Sequence, residues 1–241
     1  MLLDNERKFL FIHIPKTAGT SIRSMLCDLT DLPKPYSELD NRKHQGVSEL
    51  RESINNIDEY YKFAFVRNPY ERMLSFWSYY RQGENGGKFN HVPKSKVREA
   101  AKELGFDKWI TFLKTKRFTN MGSHPPKRLP MWRKPQVDFL CEDISFVGRY
   151  ENLDEDWRTL CDNLNLNYKP LNHFNKSAHT DYKDYYSVES YNTISWWFKR
   201  DLDELEYLDK TVFGFGYNRM NLISFYDSDY IYQKNVSVKQ Q

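Results

Sequence analysis

Residues 8–21, KFLFIHIPKTAGTS, run from an apolar and aromatic stretch into a loop of small and hydroxylated residues, then straight into a helix pattern. The stretch over 8–14 reads as a buried strand, and Ile22, Met25, Leu26 and Leu29 recur at helical spacing directly after the loop. A strand that feeds a helix through so short a loop points backbone N–H groups and the positive end of a helix dipole at one spot, an anion site. Lys16 adds a mobile charge, Thr17, Thr20 and Ser21 add hydroxyl donors, and Gly19 lets the backbone come close. The pattern is not GxxxxGK[ST], because the lysine precedes the glycine. An ordinary turn with an N-capping threonine is the plainer alternative.

The arrangement recurs. Residues 62–66, KFAFV, read as a second buried strand, with Asn68 as an N-cap and Pro69 at the first helical position. Tyr70, Met73, Leu74 and Trp77 mark that helix's buried face, and Gly83, Gly86 and Gly87 end it. Further strands are expected at VDFL and ISFVG within 137–148, a helix at 152–165 and a long helix at 187–208. Repeated strand–loop–helix units argue for an α/β fold: a P-loop-like, mostly parallel central sheet flanked by helices, in a single domain over residues 1–217. Residues 84–135, rich in cations and prolines, read as an insertion that is partly helical around 95–116, and 218–241 as a polar tail.

Composition narrows the function classes. With 241 residues the chain can enclose a proper core, and 16% aromatic content argues against disorder. A net charge of +3 does not suggest a nucleic-acid binder. Cys27, Cys141 and Cys161 are widely spaced, with no CxxC and no paired histidine, so neither a disulfide framework nor a metal site is expected. No apolar run approaches the ~20 residues of a membrane span, and the first residues lack a leader pattern, so a cytoplasmic protein is expected.

A second anion site is expected where the second strand ends. Arg67 stands at that edge, where open α/β sheets bind ligands, and its planar fork suits a phosphate; Ser75, on the following helix, can complete the contact. A surface ion pair is the plainer alternative for Arg67.

IPKTAGTS resembles the 5′-phosphosulfate loop of the carbohydrate sulfotransferases, the Golgi group of heparan and uronyl 2-O-sulfotransferases and their bacterial relatives. FAFVRNPYERMLSFWSYY resembles that family's 3′-phosphate motif, with Trp77 where the family has tyrosine. The resemblance implies a sulfotransferase fold and transfer of a sulfuryl group from 3′-phosphoadenosine 5′-phosphosulfate (PAPS) to a carbohydrate hydroxyl, without a metal. It implies that Lys16, Thr17, Ala18, Gly19, Thr20 and Ser21 hold the 5′-phosphosulfate, with Lys16 neutralising the bridging oxygen, and that Arg67 and Ser75 hold the 3′-phosphate. NKSAHTDYKDYY, residues 175–186, resembles the family's late cofactor loop and makes Asn175, Lys176 and Ser177 candidates to touch PAPS.

Sulfuryl transfer also needs a base, for which a histidine is suited. His44, in KHQGVSEL, resembles the family's histidine segment and is the expected base, with Glu49 and Glu38 as fallbacks; His13 reads as a packed strand residue. Between 115 and 134 lie six Lys or Arg and no Asp or Glu. From that insertion His91, His124, Lys127, Arg128, Trp132 and Arg133 are candidates for an anionic carbohydrate, Trp132 by stacking on a sugar ring, with a solvated loop as the alternative. Competing readings are a P-loop-like kinase, which would need a Mg²⁺-holding acid at a strand end, a non-catalytic PAPS- or glycan-binding module, and a tyrosyl-peptide sulfotransferase.

Overall fold

Strand β1, Leu2–Asp4, opens the chain and β2, Phe9–Ile12, follows it. The structure, a computed structural model, describes residues 1–33, 44–82, 95–115, 130–171 and 181–207. Helix α1 is Gly19–Thr30, α2 is Val47–Arg51, and β3 is Tyr61–Val66. Helices α3, Pro69–Gln82, α4, Lys96–Glu103, and α5, Phe106–Thr115, come next. Strand β4, Phe146–Arg149, then leads to α6, Leu153–Asn163, and the described chain closes with α7, Val188–Trp197, and α8, Lys199–Glu204.

The sheet has the order β1-β2-β3-β4. β2, β3 and β4 are parallel neighbours, with Phe11 opposite Phe63 and Phe63 opposite Phe146, while β1 pairs with β2 antiparallel. The α/β architecture expected from the strand–loop–helix repeats is therefore present. Residues alternate between faces with period two. Phe9, Phe11, Phe63 and Phe65 enter one core with Ile22, Met25 and Leu26 of α1 and Trp157, Leu160 and Cys161 of α6. Leu10, Ile12, Ala64 and Val66 enter the opposite core with Val47 and Leu50 of α2 and with Phe139. Burial on both faces is why these strands read as unbroken apolar runs.

A third core joins α3, α4, α5, α7 and α8. α3 starts as its sequence indicates: Asn68 Oδ1 accepts from Tyr70 N at 2.9 Å, and Asn68 O accepts from Arg72 N at 2.8 Å. Within the stretch read as an insertion, Val97, Ala100 and Ala101 of α4 and Phe106, Trp109, Ile110 and Leu113 of α5 belong to this core.

Two expectations change, one is refined, and one strand is new. VDFL is not a strand: residues Val137–Phe139 form a 3₁₀ turn whose Phe139 plugs the second core. The long helix at 187–208 is two helices broken at Phe198, and the helical stretch around 95–116 is two helices broken at Leu104 and Gly105. β1, only three residues long, carried too little pattern to be read as a strand. The glycines expected to end α3 and the polar tail lie outside the described residues.

Candidate active site

The loop after β2 is built from strained and tightly tied backbone. Lys16 and Ala18 sit at φ 70° and 64°, the left-handed region that non-glycine residues enter at a cost of about 1 kcal/mol each. Thr17 Oγ1 donates to Ile14 O at 2.9 Å, and Arg72 Nε, from α3, donates to Pro15 O at 3.0 Å. α1 then begins at Gly19 with Ala18 as its N-cap, with no side-chain cap and no acidic residue in its first turn. Its positive end is thus left for an anion from elsewhere. Thr17, 0% exposed, spends its hydroxyl on the loop itself; Ser21 is buried and Thr20 half-buried on the first turn of α1. Gly19 has a further reason to be glycine: a Cβ there would overlap Cδ2 and Nε2 of His13 and lie 2.9 Å from its Cγ.

Arg67 follows the last residue of β3, next to β2 in the sheet, so both loops leave the same edge. Its guanidinium lies over the Tyr150 ring at 3.9 Å and donates from Nη2 to Glu71 Oε2 at 2.9 Å. Arg67 is 4% exposed, and among the described residues its buried Nε has no hydrogen-bond partner. A buried N–H left in that state is costly, and a phosphate oxygen is the kind of acceptor that would satisfy it. Ser75 lies buried two turns along α3. Lys16 is close enough to feel Arg67: burial first, and then the Arg67 charge, bring its ammonium down to about 8. Its Nζ rests over the Tyr79 ring at 4.5 Å. Two cations thus stand in the loops that leave one edge of the sheet, with Glu71 as the carboxylate paired to Arg67.

His44 stands just before α2 and meets the strand carrying the loop. Its Nδ1 is 2.9 Å from His13 O, and the two rings make an edge contact at 4.7 Å. A carbonyl only accepts, so Nδ1 carries the hydrogen and Nε2 the lone pair in the neutral ring. The fallback Glu49 is committed elsewhere: its Oε2 caps α2 by accepting from Gly46 N at 2.9 Å and pairs with Lys134 Nζ at 3.2 Å. Glu38 lies outside the described residues.

Trp132 does not offer a face to a sugar: it is 3% exposed, packed in the helical core against Trp197 at 5.6 Å. Its apolar bulk went to the core, which the polar run around it concealed. Arg133 lies half-buried over the Trp197 ring at 5.5 Å. His91, His124, Lys127, Arg128, Asn175, Lys176 and Ser177 fall outside the described residues. No group of three or more His, Cys, Asp or Glu that could hold a metal ion occurs among the described residues.

Three residues that sequence reasoning passed over hold the site together. Arg72, 1% exposed, bridges Pro15 O and, through Nη1, Lys134 O at 3.2 Å. Gln136 and Asp201, both 0% exposed, tie the backbone of Arg67 to α8: Asp201 Oδ2 accepts from Gln136 N at 2.9 Å and Oδ1 from Val137 N at 3.1 Å. Arg72 lies off the stripe of Tyr70, Met73, Leu74 and Trp77 that marks the buried face of α3 in the sequence, and it carries no more signal there than Gln136 or Asp201.

A model described as the sulfotransferase family matches residues 1–216. The chain is 22% identical over 89% of its length to carbohydrate sulfotransferase 11 of Mus musculus, and 24% identical over 89% to carbohydrate sulfotransferase 12 of the same species. To carbohydrate sulfotransferase 14 of Homo sapiens it is 26% identical over 65%. It spans 66%, 59% and 44% of those relatives' own lengths. No solved structure matches. These findings overturn the cytoplasmic location: the relatives are carbohydrate sulfotransferases, the class whose resemblance pointed to the Golgi, and the first residues of a chain covering part of them are no ground for a location. Among the described residues no helix is long and apolar enough to cross a membrane.

Proposed function

The chain belongs to the sulfotransferase family, and from that premise we propose that it binds PAPS and passes the sulfuryl group to a hydroxyl of a carbohydrate. The observation that carries this reading is the buried Arg67 Nε, without a hydrogen-bond partner among the described residues, at the same sheet edge as the loop that carries Lys16. Like charges held together in a half-dry pocket favour an anion with two separated charged groups.

When bound, PAPS supplies a sulfur whose bond to the 5′-phosphate oxygen breaks as a bond to the acceptor oxygen forms. The first-turn N–H groups of α1 and the Lys16 ammonium hold the 5′ end, and Lys16 meets the charge that gathers on the bridging oxygen. Arg67, with Ser75, holds the 3′-phosphate. His44 Nε2 takes the proton from the acceptor hydroxyl, while Nδ1–H stays on His13 O. Asn175, Lys176 and Ser177 are proposed to touch the donor. The names of the relatives support a carbohydrate acceptor, and the Lys and Arg of 116–134 favour an anionic one, such as a uronic-acid or sulfated polysaccharide.

The test is calorimetric titration with 3′-phosphoadenosine 5′-phosphate and with ATP, each with and without Mg²⁺. Metal-independent binding of the bisphosphate, lost in Arg67→Ala, is expected. A preference for Mg-ATP would replace this reading with a kinase. Transfer of label from [³⁵S]PAPS to a panel of soluble polysaccharides then separates an enzyme from a binding module.

A further inference from the structure

We infer that His13 is a positioning residue for the transfer: its carbonyl sets the tautomer and aim of the His44 ring, and its imidazole sets the gap between that ring and the phosphate loop at Gly19. The inference rests on the reading of His44 as the base. Ile14 N donates to Ile12 O at 3.2 Å, a turn centred on His13 just past the end of β2, and the His13 carbonyl there accepts from His44 Nδ1 at 2.9 Å. The nitrogen that bears the proton in a histidine is set by the partner of the other nitrogen. This carbonyl therefore keeps Nε2 as the base nitrogen.

The ring does the second half. His13 is 3% exposed and stacks on Phe11 at 5.8 Å and 16°, while Phe11 stacks on Phe63 of β3 at 5.3 Å. Its edge contact with His44 is on one side, and the backbone of Gly19 lies against Cδ2 and Nε2. His44 itself stands outside the sheet, just before α2. Through His13 it is referenced to the rigid sheet and to the same loop that carries Lys16, so donor and base share one frame.

Four variants and one spectrum test this. In ¹⁵N histidine spectra of the native protein, the His44 ring is expected as the Nδ1–H tautomer; an Nε2–H tautomer overturns the inference without any variant. His13→Ala is expected to give mixed His44 tautomers and a kcat lower by on the order of tenfold to a hundredfold, measured with PAPS and a polysaccharide accepted by the native protein, with the bisphosphate Kd barely moved. Native kcat in that variant overturns it. Gly19→Ala alone is expected to damage folding by collision with the His13 ring. Gly19→Ala/His13→Ala is expected to regain folding and bisphosphate binding but not turnover; full turnover would reduce His13 to packing and overturn the inference. Retained turnover in His44→Ala would instead overturn the base reading itself. Loss there with normal turnover in His13→Ala would remove only the positioning role.

Discussion

The side-chain amide of Gln136 closes on both backbone polar groups of Arg67: Oε1 accepts from Arg67 N at 2.9 Å, and Nε2 donates to Arg67 O at 2.7 Å. The grip continues the hydrogen bonding of β3 past its last residue, where the sheet offers no further partner. Gln136 is in turn fixed by Asp201 of α8, whose carboxyl is raised by burial while the Arg72 charge opposes the rise. The strand-end arginine is thus held at its backbone from α8, leaving the guanidinium free of that task.

Gln136→Leu keeps the buried volume and strands both Arg67 groups. A loss of about 2–4 kcal/mol is expected, with a lower Tm. Bisphosphate affinity should fall as well, although Gln136 is given no contact with the ligand. Thermal denaturation and calorimetry on the same preparation check this. A folded variant with native Tm and affinity would show that Arg67 does not depend on the grip.

The two strand–loop–helix elements were legible because each is local. Strand, loop and helix follow one another in the chain, and buried strands such as KFAFV announce themselves by continuous apolarity. His44 was singled out by resemblance alone, and its partner was not legible: the bond to His13 O spans thirty-one residues and depends on a carbonyl, which has no sequence signature. Gln136 and Asp201 escaped for the same reason, being polar residues whose meaning lies in partners 69 and 65 positions away. Trp132 was misread because a cationic stretch hid a core residue. That a Cβ at Gly19 would meet the His13 ring was not legible, because it depends on how the ring of His13 turns back on the loop.

Glu71 competes with any phosphate for Arg67, since its Oε2 lies 2.9 Å from Nη2 and the carboxylate is itself only 22% exposed. Glu71→Gln keeps an acceptor and removes the charge. Bisphosphate binding should tighten by several-fold, equivalent to about 1 kcal/mol, most clearly at low ionic strength. Calorimetric titration at two salt concentrations is the measurement. Weaker binding would mean that the carboxylate serves to aim Arg67 at the ligand.

Arg72 reaches two carbonyls at once, Pro15 O at 3.0 Å and Lys134 O at 3.2 Å, from a buried position. Arg72→Lys retains the charge but not the planar fork, so one carbonyl loses its donor. A destabilisation of about 1–3 kcal/mol is expected, together with weaker bisphosphate binding as the loop before Lys16 loosens. Denaturant unfolding compared with Arg72→Met separates the lost charge from the lost geometry. Equal loss in the two variants would mean that the fork carries the whole effect, and a Lys variant as stable as the native protein would mean that fork geometry is not what matters.

Lys16 is held in charged form against the preference of its surroundings. Burial and, secondarily, Arg67 bring it from 10.5 to about 8. For a base whose folded pKa is depressed, the unfolded chain binds more protons between the two values, so stability rises with pH across that window. The penalty is fully present below about 8 and has gone by 10.5. Lys16→Met should therefore stabilise the protein at pH 7 by on the order of 2 kcal/mol, a figure kept below full conversion because the ammonium is partly solvated. The gain should shrink towards pH 10 while transfer is lost at every pH. In the native protein, bisphosphate binding should weaken as pH rises through about 8, where the free site loses the Lys16 charge. Tm measured from pH 6 to 10 for both proteins, with calorimetry over the same range, checks the sign. A Lys16→Met protein that is less stable at pH 7 would mean that Lys16 is held by a structural partner and not poised for an anion.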